Sequence, residues 1–374
     1  MKKHFNYFLF FLAVFLVGSG FLFLACTSAP VSMRIFGTTN HYLIHQLIFG
    51  VLPAVILGIA AYKIPLHYFK KYSLILVLLN LAVLLLVFSP IGSKFHGASR
   101  WISIGNFMIQ PSEFFKITAI LYLSTWIASK LSEAKTLNWK SGAKKGYHNL
   151  IYVFIPFTVF LGVISTIMIF QPDISTLGII TLTLLAMYFS VKTPLWHTLL
   201  IVATGFASLL FLIKIASYRF DRLLVFLNPE TDPLGKSFQL KQSLIAIGSG
   251  GLFGKGIGMS VQKFGNLPQA MSDSIFAVLA EETGIIGCLI LIALFILFFW
   301  LGIRIAKSSN DKFSKLAAVG ITFWITFQAF INMASVTGIF PVSGIPLPFF
   351  SYGGSHLVTE LIGVGLLLNI SKNS

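Results

Sequence analysis

Asn266-Leu-Pro-Gln-Ala-Met-Ser-Asp-Ser-Ile-Phe-Ala-Val-Leu-Ala-Glu-Glu-Thr-Gly284 begins with turn-forming residues and passes into an apolar run that continues to about residue 303. Three carboxylates, Asp273, Glu281 and Glu282, stand at the mouth of that run, in a chain with only 11 Asp and Glu in 374 residues. Two readings are open. Either the acids cap and pair a helix start, or they form a reactive site at a membrane surface.

The rest of the chain supplies the membrane. It is 56% hydrophobic and 10% charged, against roughly a quarter charged in a soluble domain. Apolar runs near 20 residues recur from end to end, which reads as an all-α polytopic membrane protein. The runs are continuous and lack the period-two alternation of a β-barrel. Ten spans are predicted, at 5–26, 42–62, 72–89, 112–129, 150–169, 174–191, 195–213, 273–303, 315–336 and 352–371. Met1-Lys2-Lys3 and the run to Cys26 are read as a retained first span, because the run is long for a signal peptide.

The net charge of +16 does not point to nucleic acid. Its lysines and arginines cluster in alternate short loops, as the positive-inside rule requires, and put both termini in the cytoplasm. The short outer segments hold only Arg34, Lys94 and Arg100. One long connection, 214–272, lies outside between spans seven and eight. It is too apolar and aromatic for disorder, so short interfacial helices are expected there. No further domain is legible, and 1–374 reads as one membrane unit. Cys26 and Cys288 form no disulfide framework or metal pattern.

Six of the acids, Glu113, Asp173, Asp273, Glu281, Glu282 and Glu360, lie in or at the ends of spans, mostly at the outer side. An ionisable group in a span is a functional candidate by default. Each has a structural alternative. Ser112 can cap the fourth helix with Glu113 in its first turn, and Lys116 shares a face with Glu113. Read functionally, Lys116 and Arg100 form a basic pair for an anionic lipid head. Asp173 in Gln171-Pro172-Asp173 suits an Asx turn, and Asp273 suits a helix N-cap. Glu360 faces either a polar cavity or a partner. The last outer loop, Gly338 to Ser355, is apolar yet dense in Pro and Gly, so it must pack inside the bundle or line a cavity. Its Gly353, Gly354 and Ser351 can offer amides and a hydroxyl to an anion. No Walker motif, metal-ligand spacing or Gly-x-Ser-x-Gly elbow occurs.

Taken in order, Ser99-Arg100-Trp101, Gln110-Pro111-Ser112-Glu113, Gln171-Pro172-Asp173, Ala246-Ile247-Gly248-Ser249-Gly250-Gly251-Leu252, Asp273 through Gly284 and Pro346 through Ser355 resemble the SEDS family (shape, elongation, division and sporulation; FtsW/RodA/SpoVE) along essentially the whole chain. Gly258 through Phe264 is more similar to the division branch than to the elongation branch. The resemblance implies a ten-helix peptidoglycan glycosyltransferase of the bacterial cytoplasmic membrane that polymerises lipid II at the outer face during septal wall synthesis. Implied partners are a class B penicillin-binding transpeptidase and divisome proteins. By the same resemblance Asp273 is the essential acid, Arg100, Glu113 and Lys116 line the polar cavity, and Mg2+ or Mn2+ assists. The residues themselves add Gln110, Ser351, Gly353 and Gly354 as candidates for binding substrate, with Glu281, Glu282 and Asp173 as candidates supporting Asp273. An elongation polymerase, a lipid II flippase and a non-catalytic scaffold are the competing readings. Two departures stand out: Met271-Ser272-Asp273-Ser274 replaces the His-Thr-Asp-Phe run frequent in the family, and Gly353-Gly354-Ser355-His356 replaces the usual Gly-Gly-Ser-Ser, with Glu360 an unexpected acid in the last helix.

Overall fold

The computed structural model describes residues 6–90, 92–95, 98–105, 107–136, 150–191, 200 and 237–373. Besides a 3-10 turn at Gln262–Phe264, ten helices appear among them: α1 (Tyr7–Phe36), α2 (His41–Lys63), α3 (Leu66–Leu86), α4 (Pro111–Thr136), α5 (Leu150–Phe170), α6 (Ile174–Phe189), α7 (Phe238–Gly250), α8 (Ile275–Ser308), α9 (Lys312–Val336) and α10 (Gly354–Lys372). Seven of these, α1, α2, α3, α5, α8, α9 and α10, are long and apolar enough to cross a membrane. The protein is a multi-pass helical membrane protein. The span expected at 195–213 falls almost wholly outside the described residues. α9 and α10 are buried along most of their length, whereas α1, α2, α3 and α5 leave broad apolar faces exposed, as helices bordering lipid must.

The sequence reading placed a loop between α3 and α4. The structure has three short antiparallel strands there, β1 (Gly92–Phe95), β2 (Ala98–Ile104) and β3 (Phe107–Ile109), in the order β1-β2-β3. Gly105, at φ +61°, forms the tight turn between β2 and β3. The sheet is an outer addition to an otherwise helical fold.

α2 and α10 are held together by small residues and amide side chains. A Cβ on Gly365 would lie 2.2 Å from the Gly58 carbonyl oxygen, so the two backbones touch as small residues allow in membranes. Asn369 Nδ2 donates to the carbonyls of Ala61 (2.9 Å) and Ile64 (2.6 Å). Near its start, α2 contains a π turn, Leu47–Val51, just before Pro53. Proline has no N–H for the carbonyl of residue 49. A Cβ on Gly354 would lie 2.5 Å from that Phe49 oxygen, so α10 starts directly against it.

The predicted span 273–303 is not one continuous helix. α8 breaks at Gly284, which has φ +67° and ψ −165°. In an unbroken helix Ile285 and Ile286 would donate to the carbonyls of Glu281 and Glu282. Here Ile285 donates to Gly251 O (3.0 Å) and Ile286 to Leu252 O (3.3 Å), while Lys255 and Gly256 donate to the carbonyls of Glu281 and Glu282 (both 3.0 Å). A turn segment from the glycine-rich connection is therefore inserted into the gap. The carbonyls of Glu281 and Glu282 and the amides of Ile285 and Ile286 are satisfied by it. The long connection contains one described α-helix, α7, whose last residue, Gly250, abuts the Ala280 carbonyl.

This insertion tolerates only glycine at its closest points. A Cβ on Gly284 would fall 2.4 Å from Gly254 N, and one on Gly254 would fall 2.2 Å from Glu282 O. The backbone of Gly284 lies in a region essentially reserved for glycine, worth about 1–3 kcal/mol of strain to another residue. Gly284→Ala is expected to lower the melting temperature of the detergent-purified protein by several degrees. Gly18→Ala, in open space with ordinary helical backbone, leaves it unchanged.

Candidate active site

Asp273 lies one residue before the N-cap of α8, which is Ser274 and makes no side-chain capping bond. Asp273 thus stands at the head of a buried half-helix that ends at Gly284. Its backbone is tied on both sides. Asn332 Nδ2, on α9, donates to the Asp273 carbonyl (2.8 Å) and to Ile345 O (2.7 Å). Ser351 Oγ donates to Ser272 O (2.6 Å), and Tyr352 N–H to Met271 O (2.8 Å). A small cleft lined by Gln239, Ser243, Asp273, Ser335 and Gly344 opens beside the carboxylate. A Cβ on Gly344 would sit 3.4 Å from Asp273 Oδ2.

The same loop links Asp273 to a second acid. The carbonyl of Ser343, next to Gly344, accepts from Ser175 Oγ at the start of α6. Two residues earlier is Asp173, buried, which accepts from Ser112 Oγ (3.0 Å) and Gln110 Nε2 (3.4 Å) and lies 3.9 Å from Arg100. Arg100 also donates to the Pro172 carbonyl. Asp173 is the N-cap of α6 but makes no capping bond with its side chain, so the Asx-turn reading gives way to a buried ion-pair partner. Ser112 spends its hydroxyl on Asp173 and does not cap α4.

Glu113 and Lys116 form a separate pair one turn into α4. Lys116 Nζ donates to both Glu113 oxygens at 2.8 Å and to Gln328 Oε1 at 2.8 Å. It also lies 5.4 Å from the Trp324 ring centre. Its side chain is 2% exposed, against 34% for Arg100. That difference corrects the sequence reading of one basic pair held by Glu113. Only Arg100 has a face open to a ligand, and its carboxylate is Asp173. Lys116 is fully engaged inside the bundle, where taking a charge out of its pair is costly.

Glu281 and Glu282, read as supports for Asp273, point instead into the inserted segment. Glu281 accepts from Ser260 Oγ (2.6 Å), Lys255 Nζ (2.7 Å) and the amides of Val261 (3.2 Å) and Gln262 (3.3 Å). Glu282 accepts from buried Lys263 Nζ at 2.9 Å. They reach Asp273 only through the rigidity of the half-helix.

Ser351, Gly353 and Gly354 were read as anion donors, but their groups are already committed. Ser351 Oγ takes the Leu347 amide (2.7 Å) while donating to Ser272, and Gly353 N–H donates to Gln46 Oε1 (3.0 Å). Gly354 is the close-approach point against Phe49. Sequence reasoning missed the amide side chains Gln46, Gln328 and Asn332, all buried. The signal was available: they are polar groups inside apolar spans, the criterion that had been applied only to acids.

The divalent cation implied by resemblance finds no dedicated cage. No three His, Cys, Asp or Glu residues converge among the described residues, and Glu113 and Asp173 are occupied by Lys116 and by Ser112 and Gln110.

Because Glu113 and Lys116 share one buried environment, removing one leaves the other charge uncompensated. Lys116→Met is expected to destabilise the protein by about 3–5 kcal/mol. Adding Glu113→Gln recovers most of that loss. A double-mutant cycle by thermal unfolding in detergent measures it.

Residues 7–374 match the family model described as cell cycle protein, the FtsW/RodA/SpoVE family. A probable peptidoglycan glycosyltransferase FtsW from Coxiella burnetii is 38% identical, over 95% of this chain and 93% of that protein. Stage V sporulation protein E from Bacillus subtilis is 39% identical, over 82% of this chain and 80% of that protein. Among solved structures, a chain of a peptidoglycan synthase complex superposes with a TM-score of 0.76 at 24% identity, covering 99% of this chain and 98% of that one. The rod shape determining protein RodA of Thermus thermophilus superposes with a TM-score of 0.69 at 22% identity, covering 99% and 97%. The family model over residues 7–374 and these relatives place the chain in the FtsW/RodA/SpoVE family of cell cycle proteins.

Proposed function

We propose that this chain is a peptidoglycan glycosyltransferase that polymerises lipid II at the outer face of the bacterial cytoplasmic membrane, in septal wall synthesis. The observation that carries the reading is the placement of Asp273. It stands beside a cleft, at the head of a buried half-helix, with its backbone held by Ser351, Tyr352 and Asn332. The names of the FtsW relatives support the reaction and favour division over elongation.

In this mechanism the 4-hydroxyl of an acceptor GlcNAc attacks the anomeric carbon of a donor MurNAc. A new C–O bond forms as the bond to pyrophosphate breaks, and undecaprenyl pyrophosphate leaves. Asp273 takes the hydroxyl proton, a contribution of about 10²–10⁴-fold for a positioned base. Arg100 stabilises the negative charge growing on the leaving group. Asp173, Ser112 and Gln110 hold Arg100 in place. Glu113 and Lys116 brace α4 against Gln328 and Trp324 on α9. No step is routed through a cation.

Lipid-linked donor and product fit a site opening at the membrane edge. The partner is a class B penicillin-binding transpeptidase, in keeping with the peptidoglycan synthase complex among the structural neighbours, and divisome proteins assemble around the pair. Both termini lie in the cytoplasm.

The test is glycan formation from lipid II by the purified chain with its transpeptidase. Wild type is expected to make polymer and Asp273→Ala less than about 1% of it. Polymer at the wild-type rate from Asp273→Ala would remove the base. Lipid II crossing liposome membranes without any polymer from wild type would favour a transporter.

A further inference from the structure

One buried acid is left unused by this mechanism. Glu360 lies in the second turn of α10, is 0% exposed, and has neither lysine nor arginine at ion-pair distance among the described residues. His356 Nδ1 is 3.4 Å away, but the alignment makes no hydrogen bond. Both ring nitrogens of His356 and Oε1 of Glu360 lack hydrogen-bond partners. The other oxygen, Oε2, accepts the backbone N–H of Phe349 at 2.8 Å. Phe349 has φ +66°, a left-handed conformation that is a genuine outlier for a bulky aromatic residue. A charge-assisted bond from a buried carboxylate is a strong restraint on such a backbone.

What the strained residue positions is on the page. Phe349 sits inside the turn closed by Phe350 N–H and Ser351 N–H on Leu347 O, with Ser351 Oγ accepting from Leu347 N–H at 2.7 Å. The next two residues reach across to the half-helix: Ser351 Oγ to Ser272 O, and Tyr352 N–H to Met271 O. Those carbonyls belong to the two residues immediately before Asp273. We infer that Glu360 is a positioning residue, fixing the 347–352 turn and through it the backbone that aims Asp273. This rests on the reading of Asp273 as the base. A base displaced by a fraction of an ångström to an ångström loses on the order of 10²-fold in rate while leaving substrate binding intact.

The experiment compares wild type, Glu360→Ala, Glu360→Gln and Asp273→Ala as full-length protein with the co-purified transpeptidase, measuring kcat and KM for lipid II. Glu360→Ala is expected to lower kcat about tenfold or more with KM within about twofold. Glu360→Gln keeps an oxygen for the Phe349 amide and is expected within about threefold of wild-type kcat. A wild-type kcat for Glu360→Ala overturns the inference, and so does a loss in Glu360→Gln as large as in Glu360→Ala. If Glu360→Ala does not yield folded protein, Glu360→Gln decides alone: near-wild-type kcat supports the anchor and a tenfold loss overturns it. Asp273→Ala keeps the two failures apart, since polymer from that variant sinks the assignment of the base whatever the Glu360 variants do.

Discussion

Two helical hydrogen bonds are missing at Gly284, and the region around Asp273 is built around their replacement. Glu281 and Glu282 give their carbonyls to Lys255 and Gly256, and Ile285 and Ile286 take theirs from Gly251 and Leu252. In an apolar setting four unpaired backbone groups would be prohibitive. The break persists only because the glycine-rich segment enters it, and that segment enters only because Gly254 and Gly284 lack side chains. The side chains of Glu281 and Glu282 then fasten the returning chain through Lys255, Ser260 and Lys263. The short piece of helix before the break, residues 275–283, is a rigid mount with Asp273 at its N-terminal end.

The other polar groups complete that mount. Asn332 and the turn containing Ser351 tie the backbone on either side of Asp273, and Ser343 links the same loop to the α6 start where Asp173 holds Arg100. Asp273 and Arg100 are thus kept on different elements joined by one loop. Lys116 and Glu113, closer to the bundle interior, contribute cohesion between α4 and α9 rather than an open charge. This separation matters for chemistry, because a cation already saturated by Glu113 and Gln328 has no donor left for a developing anion.

Much of this was legible in the sequence. Apolar runs near 20 residues announced the helices, since hydrocarbon thickness fixes their length. The scarcity of acids drew notice to Asp273, Glu113 and Asp173. What could not be read was non-local. The inserted segment pairs residues about 30 positions apart, and Gly248 to Gly256 looks in sequence like any glycine-rich turn. The three strands between Gly92 and Ile109 are too short for a convincing alternation. Ser351 and Gly353 carry the right groups for anion binding, but only coordinates reveal that Ser272 and Gln46 have taken them. Gln46, Gln328 and Asn332 were overlooked for a different reason. They are uncharged, yet a buried amide in a span demands partners as surely as an acid does.

The measurement that bears most directly on Asp273 is the pH dependence of polymerisation by wild type and Asp273→Asn, with lipid II in liposomes. If Asp273 is the base, the wild-type rate falls on the acid side as one carboxylate is protonated, and the slow residual reaction of Asp273→Asn loses that fall. An Asp273→Asn enzyme with the wild-type rate and the same acid limb would contradict the assignment.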